Sequence, residues 1–250
     1  KVTVVGDLAV SAVASSHAGG NGALSPQVKA NAQLAVDAGG SATFRNSVAI
    51  TAQEKGNGTL AGSAIAHGDL TAVRNLNLAG DVLIQANAAG GPAAANVAAL
   101  ASLEAAAGQT LNLVNKADIT VNAHAVSSGT KAVTALALAH LQGNAIREAV
   151  ANGQGNIAIT ASALGIGHNI DDAIAVASFT ADADVGGILF QNNLDVHARA
   201  VDPGTGRMTA LGYAAIDANN GITVDGNISL TGDLTGNGLV AGSLDLAHVV

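Results

Sequence analysis

Seven times along this 250-residue chain one short phrase returns: a corner of small polar residues, then aliphatics at every second position. It opens at Gly6-Asp7-Leu8, Asn46-Ser47-Val48, Gly80-Asp81-Val82, Ala117-Asp118-Ile119, Gly155-Asn156-Ile157, Asn192-Asn193-Leu194 and Gly226-Asn227-Ile228. The first aliphatics stand 40, 34, 37, 38, 37 and 34 residues apart. Two places on comes another large aliphatic: Val10, Ile50, Ile84, Val121, Ile159, Val196 and Leu230. Four places on comes Ala12, Ala52, Ala86, Ala123, Ala161, Ala198 and then Gly232. A period of two within the phrase is that of a β-strand, and the long period is that of a repeat protein.

Helical arrays share this range of repeat length but need apolar residues at a spacing of 3.6. Propeller blades usually carry a Trp-Asp signature, and the chain has no Trp. The reading that remains is an all-β parallel β-helix solenoid of about seven coils, with a period of roughly 37 residues and three strands per coil. Each repeat supplies an anchor strand, a longer Ala-rich strand such as Ala30 to Val36, and a short return strand. Examples of the return strand are Ala42-Thr43-Phe44, Leu111-Asn112-Leu113, Ile188-Leu189-Phe190 and Ile222-Thr223-Val224. Two small coils per repeat is the rival reading, because runs at Ile157, Ile174 and Leu194 lie 17 and 20 residues apart. Seven-residue strands on three sides do not fit in half a repeat, so one coil per repeat is preferred. Turns are placed at Gly19-Gly20-Asn21-Gly22, Gly56-Asn57-Gly58, Gly90-Gly91-Pro92, Ser127-Ser128-Gly129, Gly165-Ile166-Gly167, Asp202 to Gly206 and Thr235 to Gly238. Two stretches, Ala93 to Ala107 and Ala135 to Ala151, have good helix propensity but are assigned to strand and loop by the repeat.

Composition supports a thin interior. Nearly half the residues are hydrophobic, at 49 %, but aromatics make up 2 % and most of the rest is Ala. An Ala-filled globular core would leave voids, whereas Ala suits two sheets lying close together. At a rise of ~4.8 Å per coil the expected stack is about 34 Å tall. The net charge of −8 is spread along the chain without a Lys/Arg cluster, so nucleic acid is not an expected partner. With no Cys there is no disulfide framework or thiol chemistry. No apolar run is long enough for a membrane span. The chain starts at Lys1 and stops in mid-pattern, and residues 1–250 read as a single β-solenoid segment, an excerpt of a longer repetitive chain or filament.

The residue before each anchor is Asp7, Ser47, Asp81, Asp118, Asn156, Asn193 or Asn227, every one a type that hydrogen-bonds nearby backbone. Stacked coils place these seven in a structural ladder down one edge, and Asn ladders stabilise stacked strands. Asp81 and Asp118 fall one coil apart, and paired carboxylates suit acid–base work or Ca²⁺. Ser47 and Asn156 flank them, so no third carboxylate completes a site. Asp171-Asp172 and Asp182/Asp184 read as acidic clusters in solvated loops. His17, His67, His124, His140, His168, His197 and His248 sit at unrelated offsets and are assigned to the surface. Asn57-Gly58-Thr59 and Asn227-Ile228-Ser229 match the glycosylation sequon. No nucleophile motif or phosphate loop is present, and no catalytic residue, metal ligand or cofactor is expected.

Phrases of the form Asn-x-Ile-x-Ile-x-Ala-x-Ala, Gly/Asn/Ser turns and a Cys-free composition resemble filamentous-haemagglutinin-like and autotransporter-type bacterial surface proteins, over the whole chain. The resemblance implies a right-handed parallel β-helix exported to the cell surface or the extracellular space, as the non-catalytic shaft of an adhesin or an extracellular filament. Expected partners are further coils of the same chain, a second copy joined end to end through unpaired strand edges, and a host or neighbouring cell surface or polysaccharide. The alternative is a carbohydrate-active β-helix enzyme of the polysaccharide lyase or hydrolase type. Such enzymes line a groove with carboxylates, Arg or Lys and aromatic residues, all sparse here. An ice- or mineral-binding face would need a regular array, and Thr160, Asp195, His197 and Arg199 are irregular.

Overall fold

A computed structural model describes residues 1–15, 28–56, 61–91, 96–113, 117–128, 133–151, 155–166, 170–237 and 239–249. Its strands form three parallel sheets of seven strands each. The anchor sheet stacks Leu8–Ser15, Val48–Lys55, Val82–Gly90, Ile119–Ser127, Asn156–Gly165, Asn193–Asp202 and Ile228–Gly236. The long sheet stacks Val28–Ala38, Gly62–Ala72, Asn96–Ala107, Val133–Ala145, Ile170–Ala183, Arg207–Ala218 and Leu239–Val249. The return sheet stacks Val2–Val4, Ala42–Phe44, Leu76–Leu78, Thr110–Leu113, Glu148–Ala151, Ile188–Phe190 and Ile222–Val224.

The chain visits anchor, long and return strand in turn, so one repeat of about 37 residues makes one coil. Among the described residues the helix-prone stretches are strand from Asn96 to Ala107, from Ala135 to Ala145 and from Glu148 to Ala151, with a bend at Ile146-Arg147: in-register neighbours supply ladder bonds that outweigh a few tenths of a kcal/mol of propensity per residue. The first aliphatics stack directly, Leu8 on Val48, Val82, Ile119, Ile157, Leu194 and Ile228. Of the expected turns, the segments centred on residues 16–27, 57–60, 92–95, 129–132 and 167–169 lie wholly or partly outside the described residues.

The coil count needs correction. The solenoid has about five turns, not seven. An anchor strand is sealed only with a neighbour on each side. The anchor strands from Val48–Lys55 to Asn193–Asp202 bury every inward aliphatic, whereas the rungs Leu8–Ser15 and Ile228–Gly236 have no buried residue. Five closed coils thus lie between two half-covered end rungs.

The cross-section explains why each anchor strand runs from large to small. Its first two inward columns hold Val, Ile and Leu, and its third holds Ala52, Ala86, Ala123, Ala161 and Ala198, all buried. The long strand runs the other way, from the alanine columns of Ala64 and Ala66 to larger residues. The core is therefore a wedge, broad against the return sheet and alanine-thin where anchor strand turns into long strand. Large residues alternate with small ones at the broad end: Leu103 precedes Ala105, Leu141 precedes Gly143, and Phe179 precedes Ala181. Phe179 meets Phe190 of the return sheet edge to face, with centroids 5.8 Å apart. A cavity of about 40 Å³ remains among Leu103, Leu111, Leu141, Gly143 and Phe179, with a lining almost wholly apolar.

Repeat length varies mainly in one connection. Between anchor and long strand the chain has 12 residues in the first coil and 2 in the last, while the other two connections hold between 2 and 5.

Candidate functional site

The edge residues before the anchors bond one coil to the next. Asp7 Oδ1 accepts the Ser47 N–H at 3.1 Å, Asp81 Oδ1 that of Asp118 at 3.0 Å, and Asp118 Oδ1 that of Asn156 at 2.7 Å. Asn193 Nδ2 donates to Asn156 Oδ1 at 3.2 Å, and Asn193 Oδ1 accepts both the backbone N–H and the side chain of Asn227. The chain bends here, and the side-chain oxygen supplies the acceptor that a straight ladder would take from the backbone. In the other direction Ser47, Asp81 and Asp118 accept from Leu8, Val48 and Val82 through their carbonyls. Asp81 and Asp118 stand one coil apart as the spacing requires, with a carboxylate oxygen of each bonded to a neighbour's backbone. Among the described residues no group of three or more His, Asp or Glu is placed to hold a metal ion.

Of the acidic clusters only Asp184 lies in a loop, in the bend after Ala183. Asp172 and Asp182 are strand residues, because the long strand Ile170–Ala183 continues through both. Asp172 pairs with Arg207 of the next coil, Nε to Oδ1, at 2.9 Å. Asp182 faces Asp184 and Asp217; partial burial, then those two charges, raise its carboxyl above the usual range. It edges a surface groove of about 350 Å³ shared with Thr71, Asn144, Ile146 and Asp184.

Two histidines converge that offset counting had left scattered. His67, Ser102, His140 and Ser178 occupy one solvent-facing column of the long sheet. His67 Nδ1 and Ser102 Oγ are hydrogen-bonded at 2.7 Å, and His140 Nδ1 and Ser178 Oγ at 2.8 Å. His124 lies on the anchor sheet, where burial lowers its pKa. His197 pairs with Asp233 at 2.9 Å. His17 and His168 lie outside the described residues.

The sequence reading missed two buried carboxylic side chains. Glu54 points inward in a column that elsewhere holds Ala14, Ala88, Ala125, Ala163, Ala200 and, in the last rung, Leu234. It is 1 % exposed, Oε2 accepts the Ala89 N–H at 3.2 Å, and Oε1 has no partner among the described residues. Desolvation raises its pKa, and the Ala89 N–H opposes this in part. Gly62 makes the room, since a Cβ there would strike the Glu54 carboxyl. Asp202 is likewise buried, with Oδ1 accepting the Gly204 N–H at 2.8 Å and Oδ2 unpartnered. Strict alternation from Ala52 would have flagged Glu54 as inward.

No protein-family model, curated protein or solved structure matches the chain.

Proposed function

We propose that the chain is a structural and adhesive shaft: a segment of a bacterial cell-surface adhesin or extracellular filament, wound as a right-handed parallel β-helix. The observation that carries this reading is the corner ladder. Side chains of the kind that could do chemistry on that edge, Asp81 and Asp118 above all, tie each coil to the next. The half-covered end rungs leave ladder positions open to a further coil, from the same chain or from a second subunit. A polysaccharide or cell surface would meet the outward face of the anchor sheet, where Thr51, Gln85, Asn122, Thr160 and His197 stack in one polar column. That column is also what favours the alternative, a carbohydrate-active enzyme on the same scaffold.

In a shaft, length is free to change. Duplicating Val82 to Asn193, three full periods, should give a folded rod about 14 Å longer by small-angle X-ray scattering and a higher unfolding midpoint. A panel of polysaccharides should yield no new reducing or unsaturated ends. Turnover of any of them, abolished by one carboxylate substitution, would overturn the shaft reading in favour of the enzyme.

A further inference from the structure

Toward the thin end of the wedge the long sheet has its amphipathicity inverted. In Val133–Ala145, Ala135, Ala137 and Ala139 point inward and are buried, while Leu136 and Leu138 point to solvent and are half-buried. The register repeats this in every closed coil. Ile65, Leu100, Leu138, Val176 and Leu211 form one outward column. Leu136 and Ile174 continue the apolar patch in the next column. The corresponding face of the anchor sheet is polar along its middle column, and its outward aliphatics Val126, Leu164 and Val201 form a shorter column toward one end. Alanine in the core and leucine outside leaves the larger apolar area uncovered, which marks a contact surface.

We infer that this face pairs with the same face of a second copy of the chain, with coil order reversed about a two-fold axis parallel to the strands and passing through the coil of Leu138. Three properties of the face support that occupant. Size is complementary: Ala98 falls opposite Ile174, Leu100 opposite Val176 and Ile65 opposite Leu211. Carboxylates are staggered across the face rather than set directly opposite one another. Asp69 falls opposite Ala215 and Glu104 opposite Thr180, and Asp182 and Asp217 meet Ala106 and Thr71, so no carboxylate of the five central rungs faces another. Area is sufficient: five rungs of about 12 residues cover about 24 Å by 40 Å, so about 1,900 Å² is buried over both copies, within the range of stable interfaces. Reversal about the strand direction keeps the whole strand width in contact. A two-fold along the solenoid axis through the aliphatic columns would leave the carboxyl-terminal third of each strand overhanging.

The chain has no cysteine, so one introduced thiol is a clean probe. Under mild oxidation Leu138→Cys should cross-link to itself, while Leu100→Cys should link to Val176→Cys in a mixed sample and not to itself. Asn122→Cys on the anchor-sheet face should stay free. By sedimentation, wild type should be a dimer at micromolar concentration. Leu100→Ser/Leu138→Ser/Val176→Ser should be monomeric under the same conditions, with unchanged circular dichroism. A monomeric wild type at a concentration of tens of micromolar overturns the inference. So does Asn122→Cys linking as fast as Leu138→Cys, or end-to-end growth in which Leu138→Cys stays free.

Discussion

Glu54 should make the stability of this solenoid depend on pH in a way that one substitution removes. Its carboxyl replaces the alanine of the other closed coils, and one oxygen has no partner among the described residues. Burial raises its pKa above the ordinary 4.5. In the unfolded chain Glu54 gives up its proton near that ordinary value, whereas in the folded chain it keeps the proton to higher pH. Between the two values the folded state binds more protons, so stability falls as pH rises, by up to about 1.4 kcal/mol per pH unit, and levels off above the folded value. Below the ordinary value both states are protonated and the loss vanishes. Glu54→Gln keeps the shape and an oxygen for the Ala89 N–H but cannot ionise. Urea unfolding from about pH 3.5 to pH 8 should give wild type and variant similar midpoints at the acid end, with the variant ahead at neutral pH. Each kcal/mol should raise the melting temperature by about 2–4 °C. Every other carboxylate is common to both proteins, so the difference curve isolates this one. A difference flat across the whole range would refute the reasoning, as would a variant that loses ground as pH rises.

Other substitutions probe the ladder and the wedge. Asp118→Ala removes the acceptor of the Asn156 N–H and should cost about 0.5–1.5 kcal/mol in urea unfolding, with Asp118→Asn restoring most of it. Ile159→Ala, at a fully buried position of a central coil, should cost about 2–5 kcal/mol by the same measurement. Gly143→Ala directs its methyl toward the end of the flexible Leu111 side chain, 3.1 Å away beside the small cavity, and should raise the thermal midpoint by about 0.4–1 kcal/mol equivalent. Gly80→Ala should lower it, since its Cβ would collide with the Asn46 backbone.

The anchor strands were legible because two independent periods coincide in them, two within the strand and about 37 along the chain. Their side chains then had one consistent inward set. The end rungs were not legible as such: Leu8 and Ile228 open the same alternating pattern as Ile157, yet with one stacked neighbour Leu8 is half-buried and Ile228 exposed. His67 and His140 escaped because they were counted from the anchor, and the connection between anchor and long strand changes length from coil to coil. Counted instead along the long sheet, they align with Ser102 between them. Glu54 stands in the polar stretch Gln53-Glu54-Lys55 and attracted no reading there, although alternation from Ala52 carries it indoors. Leu136 and Leu138 face outward for a physical reason. Ala135, Ala137 and Ala139 fill the thin end of the wedge in this coil, and the larger side chains take the outer face.

The uneven connection between anchor and long strand has an engineering meaning. With 12 residues there in one coil and 2 in another, and the anchor-sheet ladder in register throughout, that corner decouples chain length from strand pairing. Foreign peptides grafted at successive corners would therefore be presented in a single file, one about every 4.8 Å along one edge. The scaffold is in effect a display rail whose pitch is fixed by backbone hydrogen bonds and whose cargo is open to choice.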